Sequence, residues 1–160
     1  MRGWLAAALL MAGCAQVEIR PPQEPLDFDL AGRIAARYGA ESFAGNVTWR
    51  HARGGDEMLI STPFGQGVAR ILREGEAVEL TTADGKQYRA NDAEDLTERV
   101  LGFRLPIVGM ADWVQGRSSP ELESRGWKIE YQERDDGQRP TRLRITYQGV
   151  ELRLAVTQWR

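Results

Sequence analysis

The residue types that most often carry enzyme chemistry are scarce in this chain. His51 is the only histidine and Cys14 the only cysteine. His51 stands at the end of a predicted strand, so we expect it at the surface or in a hairpin and not as a catalytic base. The acidic pairs Glu94-Asp95 and Asp135-Asp136 fall in the first turn of a predicted helix and in a predicted turn, where capping and solvation explain them. With no GxxxxGK[ST] phosphate loop either, the sequence predicts a protein that is not an enzyme and holds no cofactor or metal.

The lone cysteine directly follows a short apolar run. Arg2 supplies one positive charge, and Trp4 to Ala12 are uncharged and mostly apolar. This pattern is typical of a signal peptide and is about half the 20 residues that a membrane-spanning helix needs. The residues Met11 to Cys14 resemble the lipobox at which bacteria attach diacylglycerol to a cysteine thiol. We therefore predict a signal peptide over residues 1–13 and lipid attachment at Cys14; the plain alternative is an ordinary signal peptide before an unmodified cysteine.

The length and the net charge of the chain limit its domain count and the partners it can bind. The chain has 160 residues, with 21 Lys and Arg against 23 Asp and Glu and a net charge of -2. This length suits one domain with its own core, and no basic run indicates nucleic-acid binding or a polybasic membrane patch. Residues 14–27 contain three prolines and predict a lipidated N-terminus with an extended tether. Residues 28–160 are then the folded domain.

Alternation of apolar and polar residues dominates that domain. Phe28, Leu30 and Ile34 predict one strand with a buried face, and Val47 and Trp49 predict the next. The same pattern recurs several times after turn signals such as Asp84-Gly85 and Gln148-Gly149. Because the connections are short, we expect antiparallel pairing.

Between two blocks of strands the period changes to that of helices. Asn91 or Asp92 can cap a first helix that ends at Gly102, and Pro106 can begin a second that ends near Gly116. A sheet with one apolar face must cover that face with other elements. The sequence therefore predicts short helices over an incompletely filled concavity.

Seven blocks in order make this chain resemble the LolB family of outer-membrane lipoproteins. The likeness runs from Phe28 to Trp159 and follows the lipobox. Its blocks are FDLAGRIAARY, SFAGNVTWRH, STPFGQ, GKQYRANDAEDL, LGFRLPIVGMADWVQG, GWKIEY and LAVTQW.

The resemblance implies a fold and a function. The fold is a mainly β, antiparallel, incompletely closed β-barrel of about eleven strands, with helices over an apolar cavity. The function is to accept triacylated lipoproteins from the periplasmic carrier LolA and to insert them into the inner leaflet of the outer membrane. We expect a lipid-anchored monomer on the periplasmic side of that leaflet, with carrier, lipoprotein cargo and phospholipid as partners.

The resemblance also implies site residues. Pro63, Phe64 and Gly65 occupy the turn where the family carries a protruding apolar residue, usually leucine, associated with pushing cargo into the bilayer. The predicted acyl-chain cavity is lined by strand and helix residues: Val47, Trp49, Met58, Ile60, Val68, Leu96, Val100, Ile107, Trp113, Trp127, Ile129 and Tyr131. For its aromatic members, core packing fits the pattern equally well. The alternative function is a structural outer-membrane lipoprotein whose β core is filled and which transfers no lipid.

Overall fold

The computed structural model describes residues 18–160. The predicted signal peptide, Cys14 and the residues up to 17 lie outside this part of the chain. Nine strands and three helices follow one another: β1 Phe28–Tyr38, β2 Glu41–Ala52, β3 Gly55–Ser61, β4 Gly67–Glu74, β5 Ala77–Thr82, β6 Gln87–Ala90, α1 Ala93–Leu101, α2 Ile107–Val114, α3 Pro120–Ser124, β7 Lys128–Arg134, β8 Pro140–Tyr147 and β9 Val150–Trp159.

All nine strands form one antiparallel sheet. Its order is β6-β5-β4-β3-β2-β1-β9-β8-β7, so β6 and β7 are free edges and the sheet does not close. The predicted class, a mainly β and incompletely closed barrel, is confirmed. The implied count of about eleven strands exceeds the nine found among residues 18–160, and the stretch between β6 and β7 is helical, as predicted.

The apolar face of the sheet and the helices share one core. Trp49 from β2, Trp113 from α2 and Trp127, which directly precedes β7, are at most 2% exposed. Leu96, Ile107 and Leu122, one from each helix, are equally buried in the same cluster. Because the sheet faces this cluster on one side only, its strands alternate between buried and exposed residues.

The helices begin and end where their capping residues predict, with one addition. Asp92 caps α1 by accepting a hydrogen bond from the Asp95 amide at 2.8 Å. Gly102 ends it in the left-handed conformation, with φ 85°. Pro106 directly precedes α2. The short helix α3 was not predicted, because Leu122 is its only buried apolar residue and gives no periodicity.

A buried carboxylate joins strands β2, β3 and β4. Asp56 is fully buried; its Oδ1 accepts hydrogen bonds from Trp49 Nε1 at 2.7 Å and from His51 Nδ1 at 2.6 Å. Arg73 Nε donates to Oδ2 at 2.6 Å. Because the Asp56 carboxylate pairs with Arg73 and acts as the acceptor, we assign the donor role in the His51 contact to Nδ1–H. Of the two positions expected for His51, surface or hairpin, the structure has the hairpin: His51 lies opposite Asp56 across β2 and β3. It is only 6% exposed, because its hydrogen-bond partner Asp56 is itself buried on the neighbouring strand.

Part of the predicted tether packs against this end of the sheet. Ile19 and Pro22 are buried, and the Arg20 amide donates to Glu74 Oε2 at 3.2 Å. The Asp27 amide donates to the His51 carbonyl at 2.8 Å. Residues 18–27 therefore contact the domain at the end of β4 and beside the β2–β3 turn.

We expect Asp56→Asn to lower the free energy of unfolding by about 3 kcal/mol, because it leaves the Arg73 guanidinium buried without its counter-charge. Urea unfolding at neutral pH measures the change. Asp136→Asn is the matched control, since Asp136 is exposed, and it should change stability by no more than about 0.5 kcal/mol. Equal effects of the two substitutions would contradict this account of the buried carboxylate.

Candidate lipid-binding and membrane-contact site

The turn between β3 and β4 holds an aromatic side chain out in solvent. Phe64 is 95% exposed. The Gly65 amide donates to the Thr62 carbonyl at 2.9 Å, and the Thr62 amide donates to the Gln66 carbonyl at 2.8 Å. Pro63 at the second position and Gly65 at the fourth suit a type I turn, and Gly65 has the φ of 85° that its left-handed conformation requires. Phe64 buries almost nothing, so packing does not explain its apolar character.

An open groove of about 540 Å³ adjoins this turn. It lies at the same end of strands β2 to β5, and Gly65 and Gly67 form part of its wall. Three of the predicted cavity residues, Val47, Ile60 and Val68, line it. The groove and the turn are thus continuous on the surface of the domain.

All twelve predicted cavity residues belong to the core cluster or pack against it. Four of them are half-buried: Val68, Val100, Ile129 and Tyr131. The other eight are at most 9% exposed. Ile107 also lines a second groove, of about 370 Å³, beside helices α1 to α3. The structure therefore brings these residues together from strands and helices that are far apart in the sequence.

Two side chains in this cluster have hydrogen-bond donors without acceptors. The buried indole N–H groups of Trp113 and Trp127 have no hydrogen-bond partner within residues 18–160. A buried donor left unpaired costs about 1–3 kcal/mol. The interior therefore contains polar donors that the fold itself does not use.

Side-chain bonds hold the helices over the sheet. Tyr131 of β7 donates its hydroxyl to the Trp113 carbonyl of α2 at 2.8 Å. Burial raises the pKa of Tyr131, so its hydroxyl stays protonated at neutral pH. Arg125 binds the Glu94 carboxylate through both guanidinium ends and joins the C-terminal end of α3 to α1.

Local hydrogen bonds explain the lowered pKa values of two aspartates in turns. Asp84, in the turn between β5 and β6, has its pKa lowered to about 2 by hydrogen bonds from Lys86 and Thr82. The pKa of Asp135 is also lowered, first by the Arg139 backbone amide.

Within residues 18–160 no cluster of histidine and acidic side chains could hold a metal ion. No helix in that same part of the chain is long and apolar enough to cross a membrane.

Comparison with known proteins identifies the family. Residues 26–159 match the family described as "Outer membrane lipoprotein LolB". The chain therefore belongs to the LolB family, as its sequence blocks indicated. Membership in this family, which is not a known enzyme family, supports a role in lipoprotein localisation at the outer membrane.

Individual relatives agree over nearly the whole chain. The outer-membrane lipoprotein LolB of Thiobacillus denitrificans is 35% identical, across 95% of this chain and 92% of the relative. That of Chromobacterium violaceum is 34% identical, across 97% of this chain and 96% of the relative. That of Nitrosomonas europaea is 34% identical, across 99% of this chain and 92% of the relative.

The hydroxyl of Tyr131 gives a test of how the helices are held. We expect Tyr131→Phe to lower the free energy of unfolding by about 1 kcal/mol, because the Trp113 carbonyl loses its donor. Tyr88→Phe is the control, since Tyr88 is 39% exposed on the edge strand β6. Urea unfolding of both variants measures the difference. A loss no larger than that of the control would mean that this bond contributes nothing to holding α2.

Proposed function

We propose that this protein accepts triacylated lipoproteins from a LolA-type periplasmic carrier and inserts them into the inner leaflet of the outer membrane. In this proposal the chain is anchored there by lipid on Cys14, faces the periplasm and acts as a monomer. The observation that carries the proposal is the exposed Phe64 beside a groove whose wall includes Val47 and Ile60 of the apolar cluster.

The energetics of the cargo require such a site. Three acyl chains carry on the order of 40 methylenes, and each is worth about 0.8 kcal/mol when removed from water. A lipoprotein in the aqueous periplasm must therefore travel inside proteins. The chain lacks a phosphate loop for nucleotide binding, so each transfer has to run downhill in free energy.

The core cluster offers both kinds of contact that acyl groups make. Its apolar side chains suit the methylenes of the cargo. Acyl chains on a lipoprotein are attached through ester and amide carbonyls, which accept hydrogen bonds. The unpaired indole N–H groups of Trp113 and Trp127 could donate to them. For cargo to reach these groups, the helices would have to move relative to the sheet.

The turn at residues 62–66 supports the proposed insertion of lipoproteins into the membrane. An apolar side chain on a rigid turn can enter the acyl region of a bilayer without disturbing the fold. Phe64 lies next to the groove, so cargo leaving the groove would meet the bilayer at this point. Release would then end in the environment where acyl chains are most stable.

Photocrosslinking tests the acceptance of cargo. A photoreactive residue in place of Val68, which is half-buried and lines the groove, should crosslink to the acyl chains of lipoprotein delivered by the carrier. The same residue in place of the exposed Thr157 of β9 should not. If neither position crosslinks, the protein is the structural alternative with a filled β core, which the dense burial of eight predicted cavity residues also fits.

Substitution of Phe64 tests release. We expect Phe64→Glu to fold normally, because a side chain outside the core contributes little stability. Acceptance from the carrier should also remain. Release should fail, because a carboxylate cannot enter the acyl region without a cost of several kcal/mol.

The measurement uses purified carrier and liposomes, where Phe64→Glu should accumulate with cargo bound and Phe64→Leu should transfer normally. Transfer by Phe64→Glu at the normal rate would mean that the turn only connects two strands. Unfolding of that variant would contradict the exposed position of the residue.

A further inference from the structure

A third groove, of about 510 Å³, also adjoins the Phe64 turn. Pro63, the neighbour of Phe64, forms part of its wall. Its charged lining consists of four arginines from three adjacent strands: Arg33, Arg142, Arg144 and Arg153. Among residues 18–160 no acidic residue lines it, and we call it the arginine groove.

Small residues make room for the groove between these arginines. Ala35 and Ala44 pair across β1 and β2, and Ala155 of β9 lies between Arg33 and Arg142 in the strand register. Side chains of this size leave the long arginines free to reach over the space. The groove therefore combines a shallow floor with four positive groups around it.

The placement of these arginines is unfavourable for folding alone. Arg144 and Arg153 are directly opposite each other across β8 and β9, and like charges in that position destabilise a sheet. Glu151 compensates in part: it lies 2.8 Å from Arg153 and 3.7 Å from Arg144. Arg144 Nε is nevertheless buried without a hydrogen-bond acceptor in the described chain.

The positive charge is only partly neutralised. Arg142 pairs with Glu133 at 2.6 Å, and Arg144 lies 3.5 Å from Glu130, both across exposed surface. Arg33 is exposed and makes no ion pair within residues 18–160. The face that carries the groove thus has more arginine than acid, although the whole chain has a net charge of -2.

We propose that the arginine groove binds the phosphate groups of phospholipids in the membrane that Phe64 enters. This inference rests on the proposed insertion of Phe64. Consecutive Cα atoms are about 3.8 Å apart, so Phe64 in the acyl region would place Pro63 and the groove near the layer of phosphates. Guanidinium groups bind phosphate oxygens through paired hydrogen bonds, and a phosphate would offer an acceptor to Arg144 and a counter-charge to Arg33.

Two contacts then fix the orientation of the domain on the bilayer. Phe64 sets its depth, and the arginine groove sets which face of the sheet lies against the headgroups. The acidic surface of a protein carrier is the competing partner for the same arginines. The position of the groove beside the Phe64 turn favours the membrane.

Vesicle binding tests this proposal on the mature chain with Cys14→Ala, which carries no lipid to mask the contribution of the protein surface. The vesicles contain phosphatidylethanolamine and phosphatidylglycerol in about a three-to-one ratio. We expect the double variant Arg33→Gln/Arg153→Gln to bind at least about tenfold more weakly than the parent, since each basic group near an anionic surface contributes substantially to binding. Its binding should also depend less on salt.

The control is Arg99→Gln/Arg117→Gln. It removes the same charge from two exposed arginines on the helical side of the domain. Within residues 18–160, Arg99 makes no ion pair, like Arg33, and Arg117 pairs with Asp112 as Arg153 pairs with Glu151. It should change vesicle binding by less than about twofold. Equal losses in both double variants would show that net charge alone matters and would overturn the proposal.

Carrier binding and acyl-chain binding separate the remaining outcomes. If the groove variant binds vesicles normally but no longer binds the carrier, the groove is a carrier contact and the proposal is wrong. The groove variant should take up a fluorescent fatty acid as the parent does. If the parent itself takes up none, the proposed function fails, while the comparison of vesicle binding still decides the role of the groove.

Discussion

The buried carboxylate of Asp56 constrains the structure more than any other single group. A charge with no exposure to water needs a counter-charge and hydrogen bonds inside the protein: Arg73 of β4 supplies the charge, and His51 and Trp49 of β2 supply hydrogen bonds. Their geometry is compatible with one register of β2, β3 and β4 only. Because β3 and β4 are joined by the Phe64 turn, the same register determines where that turn projects. The N-terminal segment, which bonds to the His51 carbonyl through Asp27, depends on it as well.

The paired groups that stabilise the fold and the site proposed for function lie at opposite ends of these strands. At the end with Asp56 the buried carboxylate accepts hydrogen bonds on both of its oxygens, whereas the end with Phe64 exposes an aromatic ring, two open grooves and arginines that face one another. A site that handles acyl chains and a membrane surface needs unsatisfied groups, and each of them costs stability. The rigid network at the other end is what allows the domain to tolerate them.

Local signals in the sequence predicted most of the architecture. Alternation gave the strands, Asp92 and Gly102 gave the limits of α1, and Pro63 and Gly65 indicated the turn that exposes Phe64. Features that depend on which strands are neighbours were missed. His51 is buried because Asp56 lies opposite it, and Arg142, Arg144 and Arg153 meet Arg33 only through the pairing of β1, β9 and β8. The packing of Ile19 and Pro22 could not be predicted either, because three prolines nearby indicate an extended chain.

The packing of residues 18–27 also limits how the domain can stand above a bilayer. Ile19 is fixed near the Asp56 end of the sheet, and five residues from there to Cys14 span at most about 18 Å. The eight residues of β4 separate that end from the Phe64 turn by about 23 Å along the strand, before the turn itself is added. In the proposed function, a lipid on Cys14 and the ring of Phe64 would reach one leaflet together most easily with β3 and β4 tilted toward the membrane plane. That geometry would favour a sheet lying along the lipid surface over one standing upright.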